Sequence, residues 1–258
     1  MNGYTIFTHS LRQVVGNIGM AVRVSWWFWL MLVILLFGYG VLVGVSNSMF
    51  VAVILGVALF VFILWGVSLI AVAWHRYILL EERPGGVTPY RPDLDVWGYF
   101  WNMLGIAIIT IIIVLALSLL FALVMGGIDI LQAISSTEPS FSNILIQFLF
   151  TVISTVIYLR MALVLPGVAL QAGMTLGHAW RESKPYTGSI IVLAIALALL
   201  NILAMAVLGG AMVAFADSPG AVFVVSLAVL AFQWFYFMLN ISVLSTLFGH
   251  IVQKREVY

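Results

Sequence analysis

The chain has 258 residues, of which 64% are hydrophobic and only 7% charged, and its formal net charge is +1. Because a soluble domain carries roughly 25% charged residues, this composition excludes a water-covered globular protein and predicts an integral membrane protein. The lack of cysteine excludes disulfides, thiolate metal sites and a catalytic thiol. A net charge so near zero gives no reason to expect nucleic-acid binding.

The first predicted element is an amphipathic helix over residues 5–22. Its apolar face holds Phe7, Leu11, Val14, Val15, Ile18 and Val22. Its polar face holds His9, Arg12, Gln13 and Asn17. An apolar stripe opposite a basic face is typical of a helix that lies in the membrane interface. Packing against the protein's own cytoplasmic loops is the alternative.

Six later segments reach the roughly 20 apolar residues that a helix needs to cross the hydrocarbon core. The predicted spans are residues 25–45, 49–73, 101–126, 142–164, 188–215 and 220–248. The first span is too long for a signal-peptide core and no small-residue cleavage site follows it, so we expect it to remain in the membrane. The sequence therefore predicts one all-α membrane domain over residues 1–258.

The basic residues predict the orientation of these spans. All ten Lys and Arg residues lie before the first span, after the second, around the end of the fourth, or after the sixth. The opposite face carries only the acids Asp129, Glu138 and Asp217. Since cytoplasmic loops hold the excess of Lys and Arg, we expect both termini to be cytoplasmic.

A repeated layout is also visible. When residues 174–188 are placed over residues 5–19, His178 matches His9, Arg181 matches Arg12 and Gly188 matches Gly19. Together with the polar linker before the third span, this pattern is compatible with three units of an interfacial helix followed by a helical hairpin.

A family resemblance rests on the run 160-RMALVLPGVALQAGMTLGHAWRESKPYTG-188, which has an Arg, a Pro six residues later, a small-residue stretch and an A-W-R-x-S helix opening. This run resembles bacterial inner-membrane proteins related to the membrane domain of some glycerophosphoryl diester phosphodiesterases. The resemblance implies a six-span architecture in the bacterial inner membrane. It implies no activity, because the chain has no stretch large enough for a soluble phosphodiesterase domain.

The segment 71-AVAWHRYILLEERPGG-86 contains the densest group of charges. The pattern indicates a helix that leaves the membrane, with His75 and Arg76 at headgroup level and Glu81, Glu82 and Arg83 in water or headgroups. An active site is the alternative. Catalysis would require an acid and a base positioned beside a substrate pocket, and the sequence does not indicate one.

No catalytic, metal or cofactor motif is recognisable. The four histidines, His9, His75, His178 and His250, fall at or beyond span ends, whereas haem ligation in a bilayer needs histidines inside facing spans. The glycine pairs have neither P-loop nor dinucleotide-binding spacing. We therefore predict no catalytic residues, no metal and no cofactor.

Arg160 lies at the inner edge of the fourth span. An arginine there extends to the interface, pairs with Glu81, Glu82 or Glu182, or contacts a substrate or lipid phosphate. Arg76 and Arg181 are further candidates for lipid-headgroup contacts or ion pairs. Pro166 and Gly167 permit a broken or re-entrant backbone just beyond Arg160.

A polar seam is predicted inside the bundle. In the fourth span its members, spaced so that they share one helical face, are Asn143, Gln147, Thr151, Ser154 and Tyr158. In the sixth span they are Ser226, Gln233 and Asn240, and Asn201 in the fifth span is a further candidate. We expect the two stripes to face each other or a shared space, either as polar contacts between packed helices or as a substrate path.

These features favour a non-enzymatic membrane protein that binds lipids or another integral membrane protein in a scaffolding, assembly or envelope-maintenance role. A small-molecule or lipid transporter is the alternative, and an intramembrane enzyme is the third hypothesis. The sequence indicates neither the substrate, nor the partner, nor the oligomeric state.

Overall fold

The computed structural model describes residues 2–83, 85, 90–124 and 141–255, apart from the side chains of residues 122, 124 and 141–143. These residues form nine α-helices and one 3₁₀ turn, and no β-strand occurs among them. In chain order the helices are α1 (Gly3–Gly16), α2 (Ile18–Ser46), α3 (Met49–Leu80), α4 (Val96–Val124), α5 (Phe141–Ala162), α6 (Val164–Ala169), α7 (Leu176–Ser183), α8 (Thr187–Ala214) and α9 (Pro219–Ile251). The 3₁₀ turn, Lys184–Tyr186, joins α7 to α8.

Within the described residues, six helical segments are long and apolar enough to cross a membrane, which confirms the predicted all-α polytopic protein. Several helices extend past the predicted spans: α2 begins at Ile18 rather than residue 25, and α3 continues to Leu80 rather than residue 73. Hydropathy marks only the apolar part of a helix, whereas backbone hydrogen bonds carry the helix on into polar residues. The predicted end of the third span, residue 126, lies outside the described residues.

Burial divides the bundle across its length. The basic half comprises the N-terminal parts of α2, α4 and α8, the C-terminal parts of α3, α5 and α9, the short helices α1, α6 and α7, and the segments that join or follow these ends. It carries all ten Lys and Arg residues. Its core includes Phe28, Trp74, Leu193 and Phe248, each at most 2% exposed. In the other half, here called the open half, none of the described residues is buried.

The short helix α6 lies at the centre of the basic half and contacts α3, α4, α5, α7 and α9. The helical run of the fourth span breaks at Leu163. The break follows from Pro166, which has no N–H for the carbonyl of Ala162 and whose ring crowds the preceding turn. The chain then doubles back so closely that a Cβ on Gly167 would lie 2.7 Å from Cβ of Met174. The predicted break near Pro166 and Gly167 is therefore present.

Helix α1 packs against α8 and α9 through Ile6, Ser10 and Val14, which are all buried. Its first turn touches the backbone of α8, since a Cβ on Gly3 would lie 2.1 Å from the carbonyl oxygen of Ser189. Of the predicted apolar stripe, Phe7, Leu11 and Val14 pack against the core, whereas Val15, Ile18 and Val22 are exposed. The helix also ends at Gly16 rather than at residue 22. Position in a membrane interface and the three-unit repeat both stay predictions.

Candidate functional site

A buried histidine joins three helices of the basic half. His75 on α3 is 0% exposed; its Nδ1 lies 2.8 Å from Oγ of Ser245 on α9 and its Nε2 lies 3.1 Å from the hydroxyl of Tyr99 on α4. The Ser245 hydroxyl also donates to the carbonyl of Ile241 at 3.0 Å. Because the Ser245 hydroxyl proton is used in that bond, Ser245 accepts from Nδ1–H of His75. The neutral ring then accepts from the Tyr99 hydroxyl at Nε2.

This arrangement leaves the His75 side chain without headgroup contact, while its depth in the bilayer stays a prediction. The ring is fully enclosed by protein because α3 continues beyond it into the packed basic half. Both ring nitrogens have protein partners, so His75 acts as a polar link between helices. The charged residues that follow His75 also make more contacts within the protein than the sequence indicates.

Arg76 holds the C-terminal end of α3 against α6. Its guanidinium makes two hydrogen bonds to the Glu82 carboxylate, at 2.9 and 2.7 Å, and Nη1 donates to the carbonyl of Ala169 at 2.9 Å. Arg91 donates to the same carboxylate at 2.9 Å and also pairs with Asp93. Of the two roles predicted for Arg76, the structure therefore contains the ion pair.

The hydrogen bond from Arg76 holds the pKa of the Glu82 carboxyl below its ordinary value, and the charges of Arg76 and Arg91 act in the same direction. The carboxylate therefore stays ionised over a wider range of acid pH. Glu81 and Arg83, the flanking residues, are exposed as expected.

Arg160 at the end of α5 contacts α7. Its guanidinium lies 3.7 Å from the ring centroid of Trp180, and its Nη2 donates to the Trp180 carbonyl at 3.0 Å. Nε donates to the Ser183 hydroxyl at 3.2 Å. A cation is favourable at a helix C-terminus because the last carbonyls carry partial negative charge. Among the described residues Arg160 forms no ion pair, and Arg181 is exposed.

The fourth-span stripe of the polar seam lies mainly in the open half. Gln147 and Thr151 are exposed, whereas Ser154 and Tyr158 are half-buried. Thr151 and Ser154 donate to carbonyls of their own helix at 2.8 and 2.9 Å, which satisfies both hydroxyls without a partner helix. The side chain of Asn143 lies outside the described residues.

The sixth-span stripe makes similar local contacts. Asn240 donates to the carbonyl of Tyr236 at 2.7 Å, and exposed Gln233 lies 3.8 Å from Sδ of Met205 on α8. Asn201 on α8 is half-buried. Helix α8 packs against both α5 and α9. A shared polar space between the two stripes stays a prediction.

Polar residues that the predicted seam does not contain form hydrogen bonds between α9 and α1. The Ser242 hydroxyl donates to Oε1 of Gln13 on α1 at 2.7 Å, and Oγ1 of Thr246 lies 3.1 Å from the same oxygen and 3.0 Å from the carbonyl of Ser242. Gln13 therefore contacts protein, whereas the sequence predicted that it would lie on the polar face of α1. Ser245 and Thr246 follow Ser242 by three and four positions, so the three hydroxyls share one helical face, but that face lies roughly opposite the face of Asn240, which the predicted seam followed.

These bonds also orient His9. Because the Gln13 amide oxygen accepts from Ser242, its amide nitrogen points to Nε2 of His9 at 3.0 Å, and that ring nitrogen accepts. Burial and the neighbouring Arg12 guanidinium lower the pKa of His9 below its ordinary value. His9 is therefore neutral at neutral pH.

Two apolar grooves open on the sides of the bundle. A groove of about 470 Å³ between α2 and α3 is lined by residues that include Gly38, Leu42, Leu59 and Phe62. A second, of about 330 Å³, lies between α2 and α9 beside Trp29 and Trp234. Surfaces of this chemistry accept acyl chains or apolar side chains of another helix.

A polar cavity of about 200 Å³ lies at the basic end, between α1 and the ends of α3 and α9. It is lined by groups that include Gln13, Ser245, His250 and Arg255. A neighbouring cleft contains Tyr77, Glu81 and Arg83. Over the described part of the chain, no group of three or more His, Asp or Glu side chains is placed to hold a metal ion.

No protein-family model, curated protein or solved structure matches this chain.

Proposed function

We propose that this chain is a non-enzymatic protein of the bacterial inner membrane that binds lipids or a second integral membrane protein in a scaffolding or assembly role. The observation that carries the proposal is the contrast between a tightly packed basic half and an open half in which no described residue is buried. The proposal also takes up the resemblance to the phosphodiesterase-associated membrane domains, as an architecture without an activity.

Packing physics supports this role. Lipid tails are as apolar as leucine, so helices associate within a bilayer only where their side chains fit closely or form hydrogen bonds. The basic half has both kinds of contact, as in the Gln13–Ser242 and His75–Tyr99 bonds. The open half presents large exposed side chains such as Phe37 and Phe223. Acyl chains or a partner's helices are the material that fills such a surface.

The non-enzymatic character is part of the proposal. Three ionisable groups of the basic half are engaged in joining helices: Arg76 with Glu82 and Ala169, Arg160 with α7, and His75 between two hydroxyls. A general acid or base acts on a substrate in a pocket, whereas these groups act on other parts of the protein.

A transporter is the second candidate, and the polar stripe of Gln147, Thr151 and Gln233 favours it. All three side chains are exposed in the open half. Polar groups exposed within a membrane are expensive unless they line a water-filled space or contact a partner. A hydrated path along α5 and α9 is the prediction that distinguishes transport from scaffolding.

Site-directed spin labelling separates the two functions, and the natural absence of cysteine removes any background. Single cysteines replace Leu42 and Leu59 in the apolar groove, Gln147 and Gln233 in the stripe, and exposed Asp217 as the water-facing control. Oxygen measures lipid access and a nickel chelate measures water access. For a scaffold we expect high oxygen and low nickel accessibility at the groove and stripe positions.

High nickel accessibility at both glutamine positions would favour transport and contradict the scaffold. Low oxygen accessibility at both Leu42 and Leu59 in lipid bilayers would show that the groove closes. Native mass spectrometry from nanodiscs then distinguishes retained lipid from a second copy of the chain.

The proposed orientation has a separate test. Because all ten basic residues lie in the basic half, the positive-inside rule places that half in the cytoplasm. A reporter fused after Tyr258 should be cytoplasmic, and one inserted near Ser136 should be external. The reverse result at either position would contradict the six-span orientation.

A further inference from the structure

The polar cavity at the basic end has the features of a binding site. Its floor is formed by the buried side chains of Ser245 and Thr246 on α9. Its wall is Gln13 of α1, whose amide is oriented by the hydrogen bond from the Ser242 hydroxyl and by the contact with Nε2 of His9. A side chain held in this way presents its N–H groups in a fixed direction, which is what a preorganised site needs.

The rim of the cavity is equally fixed. Nη2 of Arg255 donates to the carbonyl of Leu79 at the end of α3, at 2.7 Å, and Nδ1 of His250 lies 3.0 Å from the Arg255 carbonyl. The His250 ring is further packed edge-on against Tyr186. The guanidinium and imidazole are therefore anchored beside the cavity, although Arg255 itself is exposed.

The charge of the lining selects the ligand. The titratable side chains that line the cavity are His9, His250 and Arg255, and no carboxylate of the described residues lines it. The nearest acid of an adjoining cleft is Glu81, which shares that cleft with Arg83. A guanidinium that has donated one N–H retains four more, and its planar fork matches the oxygens of a phosphate.

We infer that this cavity binds a phosphate group, supplied by a lipid headgroup or by a free phosphate. The Arg255 guanidinium contacts the phosphate oxygens from the rim, and the second amide hydrogen of Gln13 donates from the wall. Hydrogen bonds to a charged acceptor are about twice as strong as neutral ones. The site is separate from the apolar grooves, so the inference does not depend on the proposed function.

Histidine resonances provide the test, because the four histidines report on different places. The full chain, with isotope-labelled histidine, is titrated in uncharged detergent with inorganic phosphate, with short-chain phosphatidic acid, and with chloride at matched ionic strength. His9 and His250 line the cavity and should shift in a saturable way. His75, enclosed by protein, and His178, which pairs with Glu182 on α7, should remain unchanged.

Arg255→Gln should weaken binding by about tenfold, the loss expected for one charge-assisted contact. Arg181→Gln is the matched control, since Arg181 is exposed and does not line the cavity. If Arg255→Gln also moves the His75 resonance and thus alters the fold, His250→Gln is measured instead, with His9 as the reporter. It should weaken binding in the same direction.

A response to both phosphate compounds supports a site for the phosphate group itself. A response to phosphatidic acid alone supports the site with a lipid headgroup as its source, and a response to inorganic phosphate alone supports it with a free ion. A response to neither, or an equal response to chloride, overturns the inference. Unchanged affinity in both Arg255→Gln and His250→Gln overturns it as well.

Discussion

The two halves of this bundle are formed by the same six long helices, yet they differ in the contacts between those helices. In the basic half, glycines, hydroxyls and a buried imidazole allow close approach and interhelical hydrogen bonds. In the open half the same helices carry branched and aromatic side chains that remain exposed. Apolar composition therefore suffices for membrane insertion, while association of the helices requires shape and polar complementarity.

The largest expected effect comes from removing a core aromatic. Phe248→Ala, at a side chain 1% exposed, should lower the free energy of unfolding by about 2 kcal/mol or more through the cavity that it leaves. Phe37→Ala, at a side chain 74% exposed in the open half, should change it by less than about 0.5 kcal/mol. Unfolding in mixed micelles with increasing SDS measures both. Equal losses would erase the distinction between the halves.

The next prediction compares one glycine from each half and tests whether close approach between helices depends on it. A Cβ on Gly66 would lie 2.3 Å from the Phe28 ring, so Gly66→Ala should destabilise by about 1–3 kcal/mol through overpacking. Gly44 in the open half has open space around it, and Gly44→Ala should be neutral or stabilising by up to about 1 kcal/mol through helix propensity. The same unfolding assay applies. A destabilised Gly44→Ala would indicate hidden packing in the open half.

The ion pair at the end of α3 should contribute at most about 1 kcal/mol, because Glu82 is more than one-third exposed. Folding lowers the pKa of the Glu82 carboxyl from its ordinary value of 4.5. The stabilisation is therefore present above pH 4.5 and is lost as the pH falls through the pKa of the folded state. Stability measured against pH should show an acid limb that Glu82→Gln reduces. Glu81→Gln is the control, and an identical reduction there would contradict the assignment.

The smallest effect concerns a single hydroxyl. Ser242→Ala removes an interhelical bond to Gln13 and should cost about 0.6 kcal/mol, the average for such bonds in membranes. Ser226 on the same helix donates only to its own backbone at 2.8 Å among the described contacts, so Ser226→Ala should have no measurable effect. If both substitutions lower the free energy of unfolding equally, the interhelical hydrogen bonds of the basic half stabilise the protein no more than local ones.

The comparison also shows where sequence reasoning succeeded and failed. The six spans were predictable because a bilayer imposes a minimum apolar length that hydropathy measures directly. The break of the fourth span was predictable because Pro166 removes a backbone donor. The burial of His75 was not, since its partners Tyr99 and Ser245 lie 24 and 170 positions away and no local pattern encodes such a meeting.

The packed face of α1 was only partly predictable, for a related reason. Its apolar periodicity correctly indicated a helix, but the face that packs includes Gly3 and Ser10, which no hydropathy scale marks as a contact surface. Gln13 is a polar residue in the packed interface because Ser242 satisfies its oxygen. Whether a polar side chain is solvated or bonded depends on what the neighbouring helix presents.

By itself the sequence determined that this is an all-α protein of six spans with its basic residues gathered at one end, because lipid solvation acts on each segment independently of the others. Only the tertiary structure decided which helix faces meet, which charges pair, and that the core occupies one half of the bundle. Those outcomes depend on close packing and hydrogen-bond geometry between segments distant in the chain, and such pairwise terms are absent from any single-segment property.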